Sequence, residues 1–394
     1  MVTKVAISGI PAYWVRAITA KTGPQGEPCY REVLPVVSTT EDVLYEMSRI
    51  QNTGNYLIGE GLRRAITSRE FVNFPLPRLV GSEGEAVIKH INKNFDVFAF
   101  ATANFFHIAF DPRPVVELFS RIDIPIVMMS AGIQRASDFG ATYPPGFEPF
   151  LKLLRERNIK VFTRGLPTQQ FLHRHGVTSA EPIGCPSLFS FPNGFRTSLE
   201  KLKHVAAQPN LDILHSGYLG SVKDTIVDIR ALGGAPARTA YVAQDELSLF
   251  NYKIEAVKNT RVYDDTTGRL LVSPTFPGRE ELSKTLDHYV FFNTDQWRAV
   301  AGTYHLAFAR RFHGGVIAAQ AGVPALWISV DDRTREMLSF AKLPYLDSSE
   351  WNPSNKLIRF KKFIEEYDPA GALKDYEQAY RRFRDALRSV NLAD

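Results

Sequence analysis

At 394 residues the chain is too long for one ordinary core and suits two domains of roughly 150 to 200 residues each. A composition of 44% hydrophobic, 23% charged and 12% aromatic residues excludes global disorder. The net charge of +5, without a dense Lys/Arg run, favours small anions or anionic surfaces and argues against nucleic acid.

Cys29 and Cys185 are the only cysteines, too few for a disulfide framework and without the spacing of a zinc site, so the expected compartment is the reducing cytoplasm. The opening residues MVTKVAISGIPAYWVRAI lack a long apolar core with a small-residue cleavage site and read as a first strand around Lys4 to Ile7. Nowhere do about 18 consecutive apolar residues occur, so no segment is expected to span a membrane.

After Gly/Pro punctuation at Gly23, Pro24, Gly26 and Pro28, a second run covers Val33 to Val37, and a helix is expected over Thr40 to Arg49. Asn52-Thr53-Gly54-Asn55 is turn chemistry ahead of helical spacing from Tyr56 to Ile66. Asn55 therefore sits at a helix mouth, as an N-cap or as a ligand contact. FDVFAFATA from Phe95 to Ala103 is apolar on both faces, as a buried parallel strand should be, with Asn104 and His107 just beyond it. IPIVMMS repeats the theme with Gln134 at its exit. A helix over Pro149 to Arg157, a strand Ile159 to Thr163 ending in Arg164, and a short helix stopped by Gly176 complete an alternating α/β pattern. SFPNGF near residues 190 to 196 is the expected linker.

The second half repeats the alternation. Strands are expected at Leu211 to His215, Thr239 to Ala243, Leu270 to Ser273, Val290 to Asn293, Leu306 to Phe312 and Ala325 to Ser329. Helices are expected from Ser221 to Leu232, near Arg279 to His288, and from Asp295 to Tyr304. The fold class is thus α/β with two Rossmann-like domains, residues 1–196 and 197–352. Two helices broken at Asp368-Pro369 follow in 353–394. Their mixed basic and acidic faces suit solvent, and an amphipathic basic helix of this kind can also lie peripherally on the inner face of an anionic membrane.

The polar centre of the chain is Arg311-Phe312-His313 within LAFARRFHGGVIAAQAGVPALWIS, a strand, turn, helix, Gly stop and strand. This βαβ unit puts Arg311 and His313 at the carboxyl end of a parallel strand, where open α/β sheets bind ligands. Gly314-Gly315 allows backbone shapes closed to other residues, and the helix start behind it offers N–H groups and partial positive charge to an anion. Arg164 repeats the situation in the first half, so two arginines can face one cleft.

These pieces resemble the polysaccharide pyruvyl transferase family over roughly Asn52 to Leu338. The resemblance rests on Gly54-Asn55, Arg164-x-x-x-Thr168, Gly184 to Ser187, Arg311-Phe312-His313, and Gly322 to Pro324 followed by Asp331. It implies a two-domain fold similar to the B-type glycosyltransferases and transfer of pyruvate from phosphoenolpyruvate to a sugar, free, polymeric or lipid-linked, as a ketal. Departures are a longer stretch before the Gly54-Asn55 helix, Arg333 where lysine is usual, and Gly165 where an acid is usual.

The chemistry demands a proton for the methylene carbon and anchors for two anionic groups. On this reading His313 donates that proton or protonates the leaving phosphate, Arg311 and Arg164 grip carboxylate and phosphate with Arg333 as a third candidate, and Gly314-Gly315 cradles the phosphate. No metal and no further cofactor is needed. Asn55, Asn104, His107 and Gln134 are the candidate acceptor or cleft contacts. The competing expectations are a nucleotide-sugar-dependent glycosyltransferase of the same shape and a non-catalytic glycan-binding subunit.

Overall fold

The computed structural model describes residues 3–10, 17–22, 28–33, 39, 41–43, 52–66, 70–81, 84–134, 142–205, 211–217, 238–244, 263–271, 286–351 and 356–394. The first half supplies β1 (Lys4–Gly9), β2 (Ala17–Thr22), β3 (Pro28–Val33), β4 (Glu70–Asn73), β5 (Val97–Ala101), β6 (Ile126–Ala131), β7 (Lys160–Thr163) and β8 (Ala180–Pro182). Six of these form one parallel sheet in the order β4-β1-β5-β6-β7-β8, and β2 with β3 makes a separate antiparallel pair. The second half supplies β9 (Ile213–Ser216), β10 (Thr239–Ala243), β11 (Tyr263–Asp264), β12 (Arg269–Leu270), β13 (Asp287–Val290), β14 (Leu306–Ala309), β15 (Ala325–Ser329) and β16 (Tyr345–Asp347). They order as β11-β12-β13-β10-β9-β14-β15-β16, parallel except at β11 and β12.

Within the second sheet the run β13-β10-β9-β14-β15-β16 is the doubly wound order in which the chain works outward, returns, and continues on the other side of its first strand. The crevice at that reversal lies between β9 and β14. Both halves are Rossmann-like, each built on a largely parallel sheet with helices packed against it.

Period-2 alternation explains why β5 is buried on both faces. Val97, Ala99 and Ala101 belong to a core shared with the second sheet, while Phe98 and Phe100 belong to an aromatic cluster with Phe105, Phe119 and Phe150 on the far side. The shared core continues through Leu214, Val242, Ala307 and Trp327 to Phe383 and Leu387 of the last helix. That helix, Pro369–Ser389, is capped by Asp368 and returns to the first half. Its Tyr376 Oη donates to Leu188 O at 2.9 Å and its Arg384 Nη1 to Ala65 O at 3.2 Å. No helix of the described residues is long and apolar enough to cross a membrane.

Several expected elements shift. Pro192 to Phe195, read as linker, lies in the helix Pro192–Leu202, because proline is tolerated where a helix has no N–H to lose. Asp287 and His288, expected to end a helix, are strand residues of β13, and Phe312 opens a helix rather than closing β14. Near the start the strand is Pro28–Val33, while residues 34–38 and the expected helix from Ser221 to Leu232 lie outside the described residues.

A buried ion pair joins the two halves. Arg298 Nη2 lies 2.8 Å from Glu60 Oε2, each side chain about one-tenth exposed, and Arg298 also covers the Phe191 ring at 3.8 Å. Among the described residues, Arg298→Ala leaves Glu60 buried with only Arg64 beside it. The loss should be roughly 3 kcal/mol of unfolding free energy, seen as a lower urea midpoint. An unchanged midpoint would mean that Arg64 alone satisfies Glu60.

Candidate active site

At the end of β14 the backbone N–H groups of Arg310 and Arg311 both donate to Ser216 O at the end of β9, at 2.8 and 3.2 Å. They are thereby pinned at the strand-order reversal. Arg311 then serves as N-cap of the helix Phe312–Gln320 without a side-chain cap bond, so the helix start keeps its field of partial positive charge. Gly314 and Gly315 are ordinary helical residues, not special backbone shapes. They are small because neighbours stand close: a Cβ on Gly314 would lie 2.0 Å from Ser216 Oγ, and one on Gly315 would lie 2.3 Å from the Trp327 ring.

Trp327 cannot easily yield, since its Nε1–H donates to Phe312 O at 3.0 Å. Gly315→Ala should therefore lower the melting temperature, overpacking of roughly 1–3 kcal/mol outweighing a helix-propensity gain of about 1 kcal/mol. A higher melting temperature would show that the indole moves freely.

The first half contributes Arg164, 2% exposed, at the end of β7. Its Nε donates to Ser130 O at 3.0 Å and lies 3.1 Å from Ser130 Oγ, and its Nη1 donates to Asn104 Oδ1 at 2.8 Å. Ser130 holds φ at 64°, where the register of β6 against β7 shifts. Such a conformation costs on the order of 1–3 kcal/mol in a non-glycine residue, and here it directs carbonyl and hydroxyl together at the guanidinium. Among the described residues Arg164 Nη2 is buried without a hydrogen-bond partner, and no carboxylate lies within ion-pair distance. Burial pushes this guanidinium below the ordinary arginine value.

Both halves meet in a pocket lined by Asn52, Asn55, Asn104, Arg164, Gln244, Arg310, Arg311, Phe312, His313, Arg333 and Met337, with a cavity volume of about 30 Å³. Four arginines therefore line the same pocket as one imidazole. His313 is 7% exposed, and its Nε2 lies 3.8 Å from Cys185 Sγ. Desolvation first, then the charges of Arg164 and Arg333, hold it well below the ordinary histidine value, so at neutral pH it is uncharged. Arg333 is steadied by Asp331 at 3.1 Å. Such a lining has the charge and the N–H donors that an anion with several oxygens requires.

The model of the polysaccharide pyruvyl transferase family matches residues 52–332, most of the chain. The chain belongs to this family. No curated protein matches the sequence. Among solved structures it is similar to UDP-GlcNAc 2-epimerase from Neisseria meningitidis bound to UDP-GlcNAc, at 11% identity over 99% of each chain with a TM-score of 0.49. Similar too are the UDP-GlcNAc 2-epimerase from Methanocaldococcus jannaschii, at 10% identity over 98% of this chain and 99% of that one with a TM-score of 0.47, and the glycotransferase of kitacinnamycin, at 10% identity over 100% of both with a TM-score of 0.39. Values of this size carry no function across.

Of the residues that the sequence of this pyruvyl transferase family member singles out, Arg164, Arg311, His313, Arg333, Asn55 and Asn104 line one pocket. Asn55 heads the helix Tyr56–Ala65 without a side-chain cap bond; the cap of the preceding turn is Asn52, whose Oδ1 accepts from Gly54 N. Asn104 faces Arg164 and supports it. The pocket is not lined by Gly314 or Gly315, whose part is close packing, nor by His107 and Gln134. His107 Nδ1 accepts from Ala109 N within its own loop, and Gln134 donates its backbone N–H to Phe106 O. Sequence reading missed Gln244, which donates to Ser216 Oγ at 2.6 Å, together with Arg310 and Met337. A lone Gln after a strand has no motif to announce it.

Proposed function

We propose that the chain transfers the enolpyruvyl group of phosphoenolpyruvate to two hydroxyls of a sugar, in a polysaccharide or its lipid-linked precursor, releasing phosphate. The observation that carries this reading is Arg164, buried with an unpaired Nη2 and facing Arg311, Arg333 and His313. A charge held this way is satisfied by an anion brought from outside. Phosphoenolpyruvate offers a carboxylate and a phosphate, and Arg164 and Arg311 are the groups to hold them apart and oriented. The N–H groups at the start of the helix Phe312–Gln320 add to the phosphate end.

In the reaction one proton goes to the methylene carbon, which becomes a methyl group, and C2 becomes electrophilic. Two sugar hydroxyls form C–O bonds to C2 and the C2–O bond to phosphate breaks; the first hydroxyl proton returns to His313 and the second leaves with the phosphate. His313 is the proton carrier. It is neutral before the donor arrives, and the donor's negative charge offsets the arginines that hold its proton affinity down, so it acquires a proton as the complex forms.

Donor choice tests the reading. Calorimetry and thermal melting with phosphoenolpyruvate, phosphate, pyruvate and nucleotide diphosphates should rank phosphoenolpyruvate first, a ligand at about 100 times its Kd adding roughly 2.7 kcal/mol. Stabilisation by a nucleotide diphosphate alone would replace the pyruvyl reading with a nucleotide-sugar-dependent glycosyltransferase. Phosphoenolpyruvate binding without phosphate release, with every sugar acceptor offered, would favour a non-catalytic subunit.

A further inference from the structure

The helix Leu166–Arg174 follows Arg164 by two residues, and its N-cap position is Gly165, which has no side chain to cap it. Pro167 at the second helical position has no N–H, so the N–H of Thr168 at the third position is the donor that an N-cap side chain would ordinarily take. Here the acceptor comes from the other half of the molecule. Glu336, on the helix Asp332–Phe340, accepts from Thr168 N through Oε1 and from Thr168 Oγ1 through Oε2, both at 3.0 Å. Thr168 Oγ1 in turn accepts from Ile133 N at 3.0 Å, and Thr168 and Glu336 are both buried.

A Cβ built on Gly165 would stand 2.4 Å from Glu336 Cγ, 3.1 Å from its backbone oxygen and 3.2 Å from its Oε1. The glutamate therefore fills the space in which a side chain of residue 165 would itself have capped the helix. Gly165 has φ −173° and ψ −174°, extended backbone open to any residue, so only Glu336 keeps a larger residue out.

We propose that Glu336 is the N-cap of the helix Leu166–Arg174, supplied across the cleft, and that it is a positioning residue for Arg164. The anion site is complete only when the half carrying Arg311 and His313 also supplies this carboxylate. The functional part of the inference rests on Arg164 binding the donor.

The test moves the cap from one half to the other. Glu336→Ala removes it, Glu336→Gln keeps an oxygen to accept from Thr168 N, and Gly165→Asp combined with Glu336→Ala restores a cap from residue 165. Two readouts are taken on folded protein: the NMR resonance of the Arg164 Nε–H bonded to Ser130, and the Kd for phosphoenolpyruvate by calorimetry. Glu336→Ala should shift or broaden the resonance and weaken binding by roughly fivefold to tenfold, the scale of a lost cap. Glu336→Gln should stay near wild type, and the double variant should regain both.

An unmoved resonance in Glu336→Ala overturns the inference, as does a Glu336→Gln variant that folds yet binds as weakly as Glu336→Ala. If wild type binds no phosphoenolpyruvate, the donor reading falls, while the resonance still decides whether Glu336 positions Arg164.

Discussion

Arg164→Met is expected to lower kcat/KM for donor turnover by about 100- to 1000-fold while leaving the melting temperature of the free protein equal to or above that of wild type. The loss follows from removing an anchor aimed at developing and existing negative charge, worth roughly 3–4 kcal/mol in a site shielded from water. The gain in stability follows from the same burial. The guanidinium is 2% exposed, with Nη2 unpaired and no carboxylate at ion-pair distance among the described residues, and methionine of comparable length removes that charge without leaving a hole. Phosphate release and thermal melting measure the two sides. A melting temperature that drops by several degrees would mean that the bonds to Ser130 and Asn104 outweigh the cost of burial, and the charge would no longer count as held for a ligand.

His313 makes the second large effect, on pH dependence. Its folded-state pKa lies well below the ordinary value of about 6.5, first through burial and then through Arg164 and Arg333. Between about pH 6.5 and the lower folded value the unfolded chain therefore binds a proton that the folded chain refuses. The sign is set: stability is fully present above about pH 6.5 and is lost as pH falls toward the folded value. Melting temperature should fall more steeply with acidification in wild type than in His313→Gln. Parallel curves would show that His313 is not the group responsible. Donor binding reverses the effect on the ring, so calorimetry near pH 6.5 in buffers of different ionisation enthalpy should show proton uptake in wild type that His313→Gln lacks. That substitution should also abolish turnover.

Local chemistry made part of this site readable. Arg164 and Arg311 each close a run of strand residues and precede a helical pattern, which is enough to put a guanidinium at the carboxyl end of a parallel strand. FDVFAFATA announced a central strand because both alternating sets of side chains are apolar. Three kinds of feature stayed out of reach. Gly314 and Gly315 look like a flexible pair in sequence, but the reason for them is Ser216 on β9, which lies outside the βαβ unit, and the ring of Trp327 on its second strand, whose facing toward the helix the pattern alone does not tell. Glu336 and Gln244 matter through partners on other elements, and the distance between Glu336 and Thr168 along the chain hides their contact. His107 and Asn104 both follow β5 closely, yet only Asn104 turns toward Arg164, since the backbone bridge between Phe106 and Ile133 carries the chain past the pocket. Pro192 was misleading in another way, because the same residue that punctuates loops also opens helices.

The pocket, with a volume of about 30 Å³, holds one or two waters. A three-carbon phosphate needs more room than this, so on the proposed reaction the lining side chains of the two halves have to part to seat the donor. Turnover measured in increasingly viscous solvent should then slow where that parting limits the rate, and an unchanged rate would put the limit at the chemical step.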